Sequence, residues 1–337
     1  MNSASASSTA SQTARPTASQ TASQTAGPCI GRFAPSPSGP LHFGSLVSAV
    51  ASYLDIKSRT GQPDNQWLLR IDDLDAPRAT AGSESSILAT LQAHAIFWDG
   101  TPSRQSDHLS AYHNALERLA GEGLLYCCTC SRKSLKGIAV YPGHCRPKLC
   151  TPEVLLQRLS AAASADSPGD WAVRLRLPDQ QCTVTDELQG TSTSNLAHDN
   201  GDYVVYRRDG LVSYQLAVVI DDGLTGVNRV VRGADLMPTT ARQQHLHELL
   251  NQRSPAWLHL PVLLNSRGRK LSKQAHSLAV DDKQANTNLD IALQLLGQSP
   301  PAEAMRMPVA ELMSWAIDHW QPARLPTSPA WTDFYGW

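Results

Sequence analysis

The sequence predicts an α/β fold: a parallel sheet with crossover helices, broken by a cysteine-bearing insertion and closed by a short helical C-terminal part. Three observations predict it. Apolar runs near residues 30 and 67 alternate with stretches of helical spacing, in the order strand–loop–helix–strand–helix. Four of the seven cysteines crowd into residues 127–145, where that alternation stops. The final helical periodicities follow one another with no strand between them.

The elements follow in order. Residues 1–28 are nearly all Ser, Thr, Ala and Gln with one charge, Arg15. They have little to bury and are expected to form a disordered tail. A transit peptide would carry more arginine and an amphipathic period. Residues 29–34 read as a strand, and the proline-rich loop 35–40 blocks both helix and ladder. Leu46, Val50, Tyr53 and Leu54 recur at helical spacing until Gly61. Residues 67–71 form a compact apolar strand; 85–97 and 107–119 are helical. A helix opens at Thr151-Pro152-Glu153, with a cap residue, an early proline and an early acid. Residues 171–177 alternate like a half-exposed strand. Residues 203–206 and 213–220 flank Asp209-Gly210, a hairpin signal. A strand over 227–232, a helix over 239–250, a strand over 257–264 and a basic loop over 265–273 come next. Helices over 289–296 and 309–320 end the chain.

The 337 residues allow two domains and a sizeable core. With 29 Lys and Arg against 30 Asp and Glu, the net charge is −1. That excludes a polybasic coat but permits a local basic face. Residues 226–273 carry eight Arg and Lys against two acids. No apolar run is long enough for a membrane span. Clustered cysteines without a signal peptide suggest a thiolate metal site in a reducing, cytoplasmic setting.

Two motifs bear on phosphate chemistry. His42-Phe43-Gly44 sits where a loop becomes a helix: an imidazole can donate to a phosphate oxygen, a glycine admits a nucleotide ring, and free helix N–H groups attract anions. A His-x-Gly triplet is expected about 0.7 times by chance and alone decides nothing. Lys270-Leu271-Ser272-Lys273 is rarer, since the chain has only seven lysines. Two mobile ammonium groups can follow charge as a pyrophosphate departs. A third cluster, Cys128, Cys130 and Cys145, supplies three thiolates; chemistry alone lets the fourth ligand be His144, Cys150, Cys127 or Tyr141.

Taken with its order and spacing, Gly31-Arg32-Phe33-Ala34-Pro35-Ser36-Pro37-Ser38-Gly39-Pro40-Leu41-His42-Phe43-Gly44 resembles the glutamyl branch of the class I aminoacyl-tRNA synthetases. Residues 69–75, residues 231–235 and the Lys270–Lys273 motif match in the same order, from about 30 to 297. The resemblance implies a Rossmann-like parallel-sheet catalytic core with a zinc-binding insertion. It divides the chain into the tail at 1–28, the first half of the catalytic domain at 29–125 and a zinc-binding, acceptor-type insertion at 126–200. The second half would occupy 201–250, and the KLSK loop with a C-terminal helical region 251–337. Only 64 residues follow Lys273, too few for an ordinary anticodon domain. The match is accordingly to the subgroup that resembles the catalytic half alone and passes glutamate to queuosine at the wobble position of tRNA(Asp).

The resemblance also assigns roles. Arg32 and Arg232 would bind glutamate carboxylates in two hydrogen bonds each. Phe33, Ala34, Pro35, Ser36 and Tyr214 would complete the amino-acid pocket, and Asp72 would face the α-ammonium. Asp72 stands where the family usually has Glu, one methylene longer. His42, Gly44 and Lys273 would hold ATP, with His42, Lys270 and Lys273 catalytic. Ser45 replaces the second histidine of the class signature, as is usual in this branch. One structural zinc would sit on Cys128, Cys130, Tyr141 and Cys145. The expected reaction is ATP- and Mg²⁺-dependent glutamyl-adenylate formation without tRNA, then transfer to the queuosine of a tRNA(Asp) anticodon stem-loop. Basic residues in 226–273 and the zinc lobe would contact phosphates. A short glutamyl-tRNA synthetase charging a tRNA 3′ end is the alternative. A monomer with no membrane partner is expected.

Overall fold

The computed structural model describes residues 27–59, 64–75, 80–164, 170–264, 279–328 and 330–331. The expected tail up to residue 26 and the Lys270–Lys273 loop lie outside them.

In chain order the elements begin with β1 (Ile30–Phe33), α1 (Phe43–Lys57), β2 (Gln66–Ile71), α2 (Ser83–Ala93), β3 (Ser103–Arg104) and α3 (Leu109–Gly121). Next come β4 (Leu125–Cys128), α4 (Pro152–Ser164), β5 (Ala172–Leu175), β6 (Gln181–Asp186), β7 (Gly190–Asn195) and β8 (Tyr203–Tyr206). Then follow α5 (Tyr214–Leu224), β9 (Arg229–Gly233), α6 (Thr240–Leu249), β10 (Ala256–Leu260) and β11 (Val262–Leu263). The chain closes with α7 (Ala285–Leu295), α8 (Val309–Asp318) and β12 (Ala330–Trp331). Among the described residues no helix is long and apolar enough to cross a membrane.

The main sheet runs β3-β2-β1-β9-β10-β6-β7 and is parallel except for the β6–β7 hairpin. Strand order reverses between β1 and β9. Loops leaving such neighbours diverge, and a crevice opens at their carboxyl ends. A second, antiparallel sheet, β4-β5-β8, carries the cysteine-bearing lobe. Two parts of the main sheet come from stretches the sequence assigns elsewhere. The hairpin β6–β7 lies inside 126–200, and β10 lies beyond residue 250.

α1 covers the sheet because its apolar residues Leu46, Val47, Val50, Leu54 and Ile56 are all buried. Fully burying one such side chain is worth about 1.5–3 kcal/mol. The approach is close enough that a Cβ on Gly31 would lie 2.6 Å from Ile56 Cγ1, so β1 needs glycine there. Trp67 is wholly buried beneath α1 and donates from Nε1 to Ser52 Oγ at 3.0 Å. At the amino end of β9, Arg229 is clamped by Asp55 of α1 and by Glu187. This ion pair ties helix to sheet at the amino ends of the strands, opposite the crevice.

The hairpin expected around Asp209-Gly210 is half right. The turn exists: Arg207 N–H reaches Leu211 O at 2.8 Å, and Gly210 has φ +82°. The chain bridges back only at Tyr206 and Val212 and then enters α5. Of the expected strand 213–220, Ser213 is the extended N-cap and residues 214–220 are helical. Their run of Val218, Val219 and Ile220 suits either period. All of Leu216 to Ile220 are buried in one core, so the whole element is enclosed and a helix satisfies its backbone internally. β6 was overlooked although Gln181–Asp186 alternates strictly between exposed and buried residues.

Candidate active site

The carboxyl ends of β1, β2 and β9, the start of α1 and α5, and the residues after β10 enclose a cavity of about 320 Å³. The expected glutamate residues Arg32, Phe33, Ala34, Pro35, Ser36, Asp72, Tyr214 and Arg232 all line it, as do His42 and Gly44. Lys270 and Lys273 fall outside the described residues. Residues two hundred positions apart thus meet because β1 and β9 are neighbours in the sheet.

The two arginines differ in their surroundings. Arg32 donates from Nε and Nη2 to Asp222, each at 3.3 Å, so its charge is partly answered. Asp222 also takes Arg70 Nη1 at 2.6 Å, and Arg70 Nε holds Asp72 at 2.8 Å. Neighbouring Asp221, fully buried, accepts from Gln105, His108 and Tyr112 at 2.7–2.8 Å. The acid pair of α5 thereby catches the arginines of β1 and β2 and forms a rigid charged floor. Burial works against the Asp222 carboxyl, but Arg32 and Arg70 hold it below the usual carboxylate range. Burial pushes the Asp72 carboxyl up, and Arg70 offsets this only in part. A cation placed against Asp72 would favour its ionised form.

Arg232, 5% exposed, has no carboxylate within 4 Å among the described residues. Its Nε donates to His259 Nε2 at 3.0 Å, Nη1 to Gln243 at 2.7 Å and Nη2 to Thr240 at 2.9 Å. All three acceptors are neutral. His259 is fixed in turn: its Nδ1 donates to Asp186 Oδ2 at 2.6 Å, which leaves Nε2 as the acceptor facing Arg232. Trp257 packs against the guanidinium, 4.7 Å from ring centroid to Cζ. Burial pulls the Arg232 guanidinium below its ordinary range. The Tyr214 hydroxyl also interacts with the guanidinium, from the cavity side. A carboxylate accepts two parallel bonds from a guanidinium.

His42 caps α1. Its Nδ1 accepts from the Ser45 backbone N–H at 3.2 Å, and its Nε2 lies 3.0 Å from Ser45 Oγ. A Cβ on Gly44 would lie 3.3 Å from the His42 ring, so glycine leaves that ring room beside the helix start.

The cysteine lobe holds a separate cluster. The sulfurs of Cys128, Cys130 and Cys145 lie within 4.8 Å of one another, and Cys130 and Cys145 are 3.7 Å apart. Tyr141 Oη is 3.5 Å from both Cys128 and Cys130. Zinc–sulfur bonds of about 2.3 Å at tetrahedral angles put sulfurs about 3.8 Å apart. With a bond of about 2.0 Å to oxygen, sulfur and oxygen come about 3.5 Å apart. The donor set thus fits a metal ion of that size. Burial opposes the Cys145 thiolate, but hydrogen bonds from Tyr141 and the Thr129 backbone bring it to about 6. Cys127 and Cys150 interact with each other and stand outside the cluster, as does His144.

Asp222, Asp186, His259 and Gln243 were not picked out from the sequence. Two hints were present: an acid pair closing the apolar run 216–220, and one histidine inside the apolar run 257–264.

The family tRNA synthetases class I (E and Q), catalytic domain, matches residues 29–297. A glutamyl-Q tRNA(Asp) synthetase of Pseudomonas aeruginosa is 44% identical over 298 residues, 88% of this chain and 95% of that one. Another, from Ectopseudomonas mendocina, is 45% identical over 300 residues, 89% and 95% of the two chains. In structure, the glutamate tRNA ligase from Elizabethkingia meningosepticum, solved in complex with its amino acid, superposes with a TM-score of 0.70 at 24% identity. That alignment spans 90% of this chain and 66% of the ligase.

Proposed function

The chain belongs to the class I tRNA synthetases (E and Q) through its catalytic domain, and we propose that it activates glutamate with ATP, without tRNA, and passes the glutamyl group to queuosine at the wobble position of tRNA(Asp). What supports this is Arg232, a buried cation on the wall of a cavity of amino-acid size that hydrogen-bonds only neutral groups and has no carboxylate in contact among the described residues. A carboxylate substrate supplies the missing charge; an amide or a hydrocarbon does not.

In the first step the glutamate α-carboxylate attacks the α-phosphate of ATP in line. The P–O bond to the leaving pyrophosphate breaks as the acyl–phosphate bond forms. Arg232 grips one carboxylate. Arg32, fixed by Asp222, stands on the same wall, and Asp72, oriented by Arg70, faces the ammonium. His42 at the start of α1 and Lys273 of the Lys270-Leu271-Ser272-Lys273 motif bind phosphates, and both reactants are held rather than attacked by the protein. Mg²⁺ arriving with ATP supplies further charge neutralisation on the phosphates. In the second step a ring hydroxyl of the modified nucleoside attacks the acyl carbon and releases AMP.

Cys128, Cys130, Tyr141 and Cys145 would hold one zinc ion as a structural knot for the lobe. Four protein donors leave no open position for catalysis. The seven unpaired cysteines suit a cytoplasmic setting.

The test is exchange of labelled pyrophosphate into ATP driven by glutamate alone, followed by transfer to tRNA(Asp) with and without queuosine. Transfer only to the queuosine-bearing tRNA is expected. Transfer to the 3′ end of tRNA(Glu) would replace this reading with that of a short glutamyl-tRNA synthetase.

A further inference from the structure

Outside the cavity already described, a second one of about 220 Å³ lies between the cysteine lobe and α6. Leu135, Ile138, Tyr141, Arg174, Tyr203 and Arg242 are among the residues that line it. The Arg174 guanidinium lies 3.9 Å over the Tyr141 ring, and that of Arg242 lies 5.6 Å over Tyr203. Neither arginine has a carboxylate within 4 Å among the described residues. Arg174 spends Nη1 on the Asp202 carbonyl at 2.9 Å, and Arg242 spends Nη2 on the Asn200 carbonyl. The Nε atoms of both are buried without an acceptor.

Asp202 is the one acid on the cavity wall, and it is already committed. Its two carboxylate oxygens take Arg146 at 2.7 and 2.8 Å, Tyr126 Oη at 2.6 Å and the Leu177 N–H at 2.8 Å. Four donors saturate it, and Arg146 cancels its charge. Arg174 thus leans on Tyr141 of the thiolate cluster, while Arg242 meets no acid at the cavity among the described residues. Burial and the neighbouring Arg174 both push the Arg242 guanidinium down. Two half-buried like charges with orphaned donors are unfavourable unless something negative joins them.

The surrounding chain says what kind of anion. Residues 131–148 contain Arg132, Lys133, Lys136, Arg146 and Lys148 and no acid. Arg132, Lys133 and Lys136 are exposed. A lone phosphate ion needs only the pocket; exposed basic residues in the chain segment that adjoins lining residues Leu135 and Ile138 suit a chain of phosphates. Ile138, 44% exposed at the mouth, gives an apolar surface of the kind a sugar or base covers.

We infer that Arg174 and Arg242, backed by Tyr141 and Tyr203, form a binding site for a backbone phosphate of the RNA substrate. The site deepens the proposed function and rests on its RNA-transfer half. The same helix carries Thr240 and Gln243, which hold Arg232, so a phosphate seated here engages the element that positions the substrate arginine.

The experiment uses the full chain with Arg242→Gln and Arg242→Lys, each first checked for wild-type metal content. Queuosine-bearing tRNA(Asp) binding is measured across a salt series, and glutamate-driven pyrophosphate exchange is measured without RNA. Losing one phosphate contact should weaken tRNA binding by roughly tenfold and lower the slope of log Kd against log salt by about 0.9. Arg242→Lys should recover most of the slope, and exchange should stay within about twofold of wild type in both. An Arg242→Gln protein with wild-type Kd and slope would overturn the inference. So would inorganic phosphate at millimolar concentration raising the Tm of wild type but not of Arg242→Gln while RNA binding is equal, since the pocket would then hold free phosphate. A wild type that exchanges pyrophosphate yet binds no tRNA would remove the transfer reading on which the inference rests, and the wild-type control separates that result from the others.

Discussion

Replacing Arg232 with methionine separates substrate recognition from stability. The guanidinium is buried, its acceptors are neutral, and no carboxylate of the described chain lies within 4 Å. Truncating one partner of a buried charge pair costs about 2–5 kcal/mol of binding. That corresponds to a glutamate kcat/KM lower by roughly 30-fold to a few thousand-fold. Stability should respond quite differently. The substitution removes three hydrogen bonds from a charged donor, worth about 1.5–3 kcal/mol each. It also removes an unpaired buried ion, whose desolvation costs several kcal/mol. Thr240 Oγ1 is already 3.2 Å from His259 Nε2 and can satisfy that acceptor. The balance lies within about 2 kcal/mol of zero, a Tm change of at most about 8 °C. The assay is glutamate-driven pyrophosphate exchange with glutamate and ATP varied separately, alongside calorimetry. The KM for glutamate should rise while that for ATP holds. An unchanged glutamate KM accompanied by a large fall in Tm would make Arg232 a framework residue and refute the argument.

Three further outcomes are expected. Lys273→Ala should slow adenylate formation by roughly 10²–10³, as removal of one transition-state charge contact does, and an unaltered exchange rate would deny it that role. Cys130→Ser should loosen the metal and destabilise the β4-β5-β8 lobe more than the main sheet; full metal content by elemental analysis would count against the four-donor site. His259→Phe should raise the glutamate KM by about 10- to 100-fold without changing the ATP KM, because Arg232 loses the acceptor that sets its tilt. Equal rises in both KM values would point to general loosening instead.

Much of the fold was legible because local patterns were strong. The β1 strand, the proline loop and the α1 helix lie where the composition of residues 29–57 puts them. The run 213–220 was not legible, since three adjacent β-branched residues satisfy two periodicities and only enclosure in the core selects one. β4 was hidden by the cysteines that it carries, and β6 by the polar residues of its exposed face.

The sequence by itself determined the chemistry available: which guanidinium, imidazole, phenol and thiol groups exist, and that they occur in the order of a glutamate-activating synthetase core. Only the tertiary structure decided their environments. Arg32 and Arg232 look alike as words in the chain, yet one is answered by Asp222 of α5 and the other meets only neutral acceptors. Composition cannot reveal this, because a charge's effect depends on what remains beside it once water is gone. That is settled by sheet order and helix packing, not by sequence neighbours.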